Sequence, residues 1–293
     1  MRFLHSGRLA VGFLFALTAF AQMDFSGEWA PVQDEDNTGD PHVGEFIGIP
    51  MSHQGLLRAE EWNASLYTLP EWQCRPHGAM YISRGPSQVR IWKEIDPVTR
   101  QFTAYHAEWL RSVDNPYYMD GRARPSQYAA HTWGGFSTAE FVGEMLKITT
   151  THLKEDYYRR NGVPSSDQAT LTQYWIRRGD YLTWITIAYD PIYLTEPMIR
   201  SSEYKFTPNQ QIPPYPCTVV EEVDRPDGVV PSYMPGQNPF LPEFGAKYQI
   251  PMEATLGGAA TMYPELARKI EREKNAKAKI ADKGSTATVA EKK

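Results

Sequence analysis

The chain has 293 residues, 41% of them hydrophobic and 13% aromatic, with a formal net charge of −5. That length allows one large or two small domains with a sizeable core. The charge is uneven: residues 265–293 hold nine Lys and Arg against five Asp and Glu, the first 21 residues hold two Arg, and residues 22–264 therefore carry −11, which argues against nucleic acid as a partner.

In chain order, Arg2 and Arg8 bracket the start of an apolar run from Leu9 to Phe20 that is too short to span a bilayer comfortably. Ala19-Phe20-Ala21 is an A-x-A cleavage site, so residues 1–21 read as a secretory signal peptide. The mature chain then begins at Gln22, with a periplasmic or secreted destination and no membrane insertion after cleavage. The alternative is an uncleaved anchor. No Cys follows the apolar run, which excludes a lipoprotein.

Phe25, Gly27 and Trp29 alternate with polar residues, the pattern of a first strand. Asp34 to Asp40 reads as an acidic loop, and Met51 to Leu69 as a short helix carrying Leu56, Leu57, Trp62 and Leu66. Cys74 is expected in a turn and Ala79–Ser83 in a strand. Gln88–Ile95 and Gln101–Trp109 read as a strand pair around Asp96-Pro97-Val98-Thr99, where Pro fits a turn. Asn115–Gln127 reads as a polar loop.

Two hairpins follow. Gly143-Glu144 joins Phe136–Val142 to Met145–His152, and Gly179-Asp180 joins Gln168–Arg178 to Tyr181–Asp190. Gly-X suits a two-residue type II′ turn, whose first central residue needs a positive φ. The turns set the register: Phe141 opposite Leu146, Ala139 opposite Ile148, Ser137 opposite Thr150, Gly135 opposite His152, and Trp175 opposite Trp184. Gln173 then faces Thr186, and Ala169 faces Asp190. Both faces of the second hairpin are mixed, so the pattern alone leaves open which one lines the interior. Met198–Phe206 is the last strand candidate.

Residues 207–251 hold ten of the 23 prolines and cannot form sheet interior, yet Tyr215, Tyr233, Phe240, Phe244 and Tyr248 are too apolar for a free tail. They are expected to form an ordered strap round the barrel. Residues 257–280 close with a charged helix and a frayed basic tail. Cys74 and Cys217 are the two cysteines; in an exported chain they are expected to be bridged, with two buried free thiols as the alternative. The expected organisation is a signal peptide at 1–21, an antiparallel β-barrel at 22–206, a proline-rich strap at 207–260 and a C-terminal helix with disordered tail at 261–293.

The opening Phe25-Ser26-Gly27-Glu28-Trp29 resembles that of many lipocalin-like barrels, in which the Trp plugs one end. The central stretch resembles uncharacterised secreted bacterial proteins with a W-x-G-D-x-L-x-[IV]-x-T-T hairpin, a G-x-P-x-S segment and a strand ending in D-P. Here these are Phe141–Thr151, Gly162–Ser166 and Asp190-Pro191, with Phe for the hallmark Trp at 141 and Glu for Asp at 144. The resemblance covers about half of the mature chain. It implies a mainly β, antiparallel lipocalin-like β-barrel and no settled activity.

The chain contains no G-x-S-x-G, H-E-x-x-H, C-x-x-C or phosphate-binding glycine loop, and its histidines have no metal-ligand spacing, so no cofactor or metal is expected. Three functions remain. One is a barrel that binds a small apolar ligand above a floor of Ala139, Phe141, Leu146 and Ile148, in a cavity of at least ~300 Å³. Its candidate contacts are His152, Thr150, Ser137, His106, Trp184 and Asp190. The second is a barrel enzyme (hydrolase, isomerase or lyase type) using His106, His152 or Asp190 as acid and base. The third is a structural envelope protein. No motif specifies an oligomeric state.

Overall fold

The computed structural model describes residues 23–32, 41–82, 87–109, 115–210, 212, 217–220 and 223–290. The expected signal peptide and the Asp34–Asp40 loop lie outside the described residues. Nine strands close into a barrel: β1 (Gly27–Pro31), β2 (Val89–Ile95), β3 (Phe102–Glu108), β4 (Pro116–Tyr118), β5 (Phe136–Val142), β6 (Met145–Thr151), β9 (Thr170–Arg178), β10 (Tyr181–Tyr189) and β11 (Met198–Phe206). Their order round the barrel is β1-β11-β10-β9-β6-β5-β4-β3-β2. Two further short strands, β7 (Asp156–Tyr157) and β8 (Pro164–Ser165), pair outside it.

The hairpin registers follow the turn chemistry. Gly143 and Gly179 take φ of +63° and +60°, the sign that the first position of a II′ turn requires. Phe141 pairs with Leu146, Ser137 with Thr150, Trp175 with Trp184 and Gln173 with Thr186. Burial then settles the facing. Leu171, Gln173 and Trp175 on β9 are buried, as are Leu182, Trp184, Thr186 and Ala188 on β10, while their neighbours are less covered. This period of two places the Trp pair inside.

Three expectations need correction. The barrel is not wholly antiparallel, because β4 pairs antiparallel with β3 but parallel with β5. The segment expected to be loop therefore supplies a strand. Pro116 is tolerated at its first position, Tyr117 is buried within, and the 17 residues from 119 to 135 let the chain re-enter in the same direction, as a parallel pair needs. The strand expected at Ala79–Ser83 is instead a helical turn, Ala79–Ile82. With β1 and β3 already paired to β2, no edge beside it is open, and Tyr81 N–H finds a local acceptor in Gly78 O at 2.9 Å.

The barrel interior is aromatic. Phe25, Trp29, Tyr105, Tyr117, Trp175, Trp184 and Tyr204 form one core with Val89, Ile91, Leu146, Ile148 and Leu182. Trp29 donates from Nε1 to Phe25 O at 3.1 Å, and the Arg177 guanidinium lies 5.1 Å over its ring. A second core, around Phe46, Met51, Ala59, Tyr158, Val163 and Leu241, includes the inward-facing Leu171 and Ala188, so it caps the end of the barrel to which those residues belong. Helix α1 (His53–Glu60) in this cap is started by Ser52, whose Oγ accepts from Gly55 N–H and donates to Ile192 O. A Cβ at Gly55 would stand 2.5 Å from Tyr193 O, which explains a glycine where α1 rests on the loop after β10.

Beyond the barrel, residues 223–251 pack in part against the cap segment. Glu71 pairs with Arg225, Tyr233 N–H donates to Glu61 O, and Asn238 donates to the Glu60 and Trp62 carbonyls. A helix interrupts this stretch, α4 (Leu241–Tyr248), after two single turns α2 (Pro70–Gln73) and α3 (Ala79–Ile82) earlier in the chain. Pro242 falls in its first turn and Gln249 ends it at φ +54°. After another single turn, α5 (Met252–Thr255), the C-terminal helix α6 covers Pro264–Ala290. Cys74 and Cys217 are bridged, with Cα atoms 5.4 Å apart, inside the usual disulfide range. No helix among the described residues is long and apolar enough to cross a membrane.

Candidate functional site

The six residues picked from the sequence are not gathered in one place. Ser137 and Thr150 do meet, Oγ to Oγ1 at 2.8 Å, with Asn115 Nδ2 donating to Ser137 at 3.0 Å. Both hydroxyls are buried. Ser137 also reaches the wall of a pocket of about 320 Å³ shared with Asn115, Tyr118 and Trp133. Trp184 is part of the interior core, its ring 4.9 Å from that of Trp175.

His106 sits on the outer face of β3, since Tyr105 and Ala107 on either side point into the core. It stacks on Trp92 at 5.0 Å and places Nε2 2.9 Å from Glu94 Oε2. That hydrogen bond leads the causes holding the Glu94 carboxyl below its ordinary pKa. His152 leaves the strand at φ +59°. Its Nε2 donates to Ser126 O at 2.8 Å, and Nδ1 meets Thr151 Oγ1 at 2.8 Å. The ladder ends at Phe136 opposite Thr151, and a Cβ at Gly135 would lie 2.5 Å from Thr151 O. The space expected beside Gly135 is therefore filled by the turning backbone.

Asp190 is 1% exposed and anchors the loop after β10. It accepts from Ser166 N–H and Oγ at 2.8 and 2.7 Å, from Ile192 and Tyr193 N–H at 3.0 and 3.1 Å, and from Tyr158 Oη at 3.3 Å. A carboxylate so surrounded ties a turn together. Asp190→Asn puts an amide against these donors, and unfolding in urea should show a loss of about 1–3 kcal/mol. An unchanged midpoint would contradict the anchoring role.

The cap builds two other openings on either side of an aromatic partition. Trp62, at the end of α1, packs edge-on against Tyr157 at 4.8 Å, Tyr67 at 5.5 Å and Trp72 at 6.2 Å. Gly162 is required beneath it, because a Cβ there would meet Trp62 Cβ at 2.4 Å. Asn63 caps the 3₁₀ stretch Ala64–Thr68 through Ser65 N–H, which brings Tyr67 back under Trp62.

On the outer side lies a cleft of about 520 Å³. Its apolar wall is Val43, Trp62, Phe240 and Phe244, and His42, Asn63, Ser65, Glu243 and Lys247 rim it. His42 is set against Phe244 at 5.9 Å, and its carbonyl is held by Asn161 Nδ2 at 2.9 Å. On the inner side a much smaller pocket of about 20 Å³ is lined by Tyr67, Trp72, Arg75, His77, Asp156 and Arg160 among others. Burial pushes the Asp156 carboxyl pKa up, while Arg75 and the Gly78 N–H pull against it. Burial likewise raises Tyr157 to about 12.

Sequence reasoning missed these residues. One signal was present: Phe240, Phe244 and Tyr248 recur every four residues, a helical spacing hidden among prolines. Trp62 and Arg75 carried no such signal, because their partners lie about 80 to 180 positions away.

No protein-family model, curated protein or solved structure matches the chain.

Proposed function

We propose that the protein is an exported barrel that binds one small, largely apolar molecule in the outer cleft of its cap. The observation that carries this is the cleft itself. Its volume of about 520 Å³ falls in the ~300–1,000 Å³ range of small-molecule sites, and it combines aromatic walls with a few polar groups at the rim. The four hairpin residues expected as a ligand floor are partly or fully buried against the interior core, and Leu146, Ile148, Trp175 and Trp184 line none of the openings described above. This moves the ligand from the hairpin face to the cap. The Cys74–Cys217 bridge favours an oxidising compartment, in line with a periplasmic or secreted location.

The test is native mass spectrometry of protein purified from its own source, together with titration by the apolar fluorophore N-phenyl-1-naphthylamine. The expected result is a retained mass of small-molecule size and saturable one-to-one probe binding. Phe244→Glu should weaken that binding at least about tenfold, equivalent to 1.4 kcal/mol. Binding that does not saturate, or that Phe244→Glu and Val43→Glu both leave unchanged, would overturn the assignment.

A further inference from the structure

We infer that the pocket at the seam between β4 and β5 is a second binding site, for a flat, neutral aromatic molecule that carries one hydroxyl or N–H donor. The seam explains the opening. β4 has three residues and β5 has seven, and their parallel ladder is limited to Tyr117 with Ser137 and Tyr118 with Thr138. Before Tyr117 comes Pro116, which has no N–H to donate. The side chain of Asn115 takes over there: Nδ2 donates to Gly134 O at 2.8 Å and to Ser137 Oγ at 3.0 Å. A pocket of about 320 Å³ is left at the start of β5.

The orientation of that amide sets the first requirement on a ligand. Gly134 O can only accept, so it fixes Nδ2 on its own side and Oδ1 on the other. Asn115 is 7% exposed. Its Oδ1 accepts from no donor among the described residues, yet it is not sealed from open space, and the opening that Asn115 lines is this pocket. An acceptor so deeply placed is costly to leave unmet. Solvent meets it until a ligand O–H or N–H takes that place.

The walls select the class. The Tyr118 and Phe136 rings stand 5.6 Å apart with their planes 36° from parallel, and the Trp133 ring completes the wall. No Asp, Glu, Lys, Arg or His among the described residues lines the pocket. Arg122 and Arg75, which lie over Tyr118 and Trp133 at 3.5 and 4.1 Å, are paired with Asp120 and Asp156. Lys154, with Nζ 5.1 Å from the Trp133 ring centre, is exposed. A charged ligand would shed its hydration here with no ion to replace it. A sugar would shed that of several hydroxyls against walls that are mostly rings. A flat ring with a single donor loses least, its faces against the aromatic wall and its donor on Oδ1. The volume lies at the lower end of the ~300–1,000 Å³ range of small-molecule sites, which suits a ligand of one ring or two fused rings.

The experiment titrates the full chain with phenol, indole, toluene, benzoate and glucose. It is read by heteronuclear NMR at the Asn115 side-chain amide and the Gly134 and Gly135 backbone amides, which report this pocket and not the outer cleft. Phenol and indole should shift these signals saturably, one molecule per chain. Toluene, a ring without the donor, should bind at least about tenfold more weakly. Benzoate and glucose should leave the signals in place. Asn115→Leu should remove the preference for phenol over toluene, read at the glycine amides. If that variant fails to fold by circular dichroism, Tyr118→Ala carries the comparison: it takes away a wall and should weaken phenol binding at least about tenfold. The inference is overturned if neither phenol nor indole shifts the signals, if toluene, benzoate or glucose binds as tightly as phenol, or if the variants bind as the unaltered protein does.

Discussion

Trp175→Ala is expected to lower the unfolding free energy by about 3–5 kcal/mol, a large share of the ~5–15 kcal/mol that holds an ordinary domain together. Trp175 is 0% exposed and stands at the centre of the barrel's aromatic core. Its ring lies 4.9 Å from Trp184, 5.3 Å from Tyr117, 5.7 Å from Phe25 and 5.9 Å from Tyr105. Those neighbours come from four separate parts of the chain, so the cavity left by Ala cannot be closed by moving one strand. Trp175→Phe makes the informative contrast. It keeps a ring in place and removes an indole N–H that is buried without an acceptor, so its cost should be below about 1.5 kcal/mol. Guanidinium unfolding followed by far-ultraviolet circular dichroism measures both. Equal costs for the two variants would show that the ring's position in the core is not what matters.

Removing the Cys74–Cys217 bridge is expected to cost about 5 kcal/mol, because it releases a denatured-state loop of more than 100 residues. The sequence separation is 143. The effect should be uneven. The bridge ties the α2 turn, with Trp72 and Arg75 beside it, to the segment that continues through Arg225 to helix α4. Without it, the Glu71–Arg225 pair and the Asn238 hydrogen bonds to the Glu60 and Trp62 carbonyls at 3.1 and 3.0 Å must hold the two together. The two hydrogen bonds are individually worth about 1 kcal/mol. Cys74→Ser with Cys217→Ser should therefore lose probe binding in the outer cleft at a lower denaturant concentration than it loses strand signal. Coincident transitions, or a midpoint equal to that of the unaltered protein, would argue that the bridge does not brace the cap.

The hairpins were legible because their information is local. Gly143 and Gly179 supply the positive φ that a two-residue turn demands, and once the turn is placed every cross-strand pair follows with a period of two. The Asp96 turn belongs to the same class: its carboxylate accepts from Val98 and Thr99 N–H at 2.9 and 2.7 Å, all within four residues. The cysteine pair needed only a count and a compartment. The strand β4 was harder to see, since three residues after a proline carry too little pattern to outweigh a polar loop.

Facing and site depended on partners far away in the chain. Gln173 and Trp175 alternate with Thr172 and Tyr174 in a way that favours neither face until closure of the barrel puts β6 and β10 on either side of β9. Asp190 reads as an acid at a strand end; five donors from residues 158, 166, 192 and 193 make it an anchor. Arg75 and Asp156 are 81 residues apart, and the Trp62 carbonyl accepts from Asn238, 176 residues away. Periodicity and turn chemistry act over a few residues, so they specified the strands and their pairing. The cap and its two openings arise from burial and hydrogen bonding between segments that come together when the barrel closes.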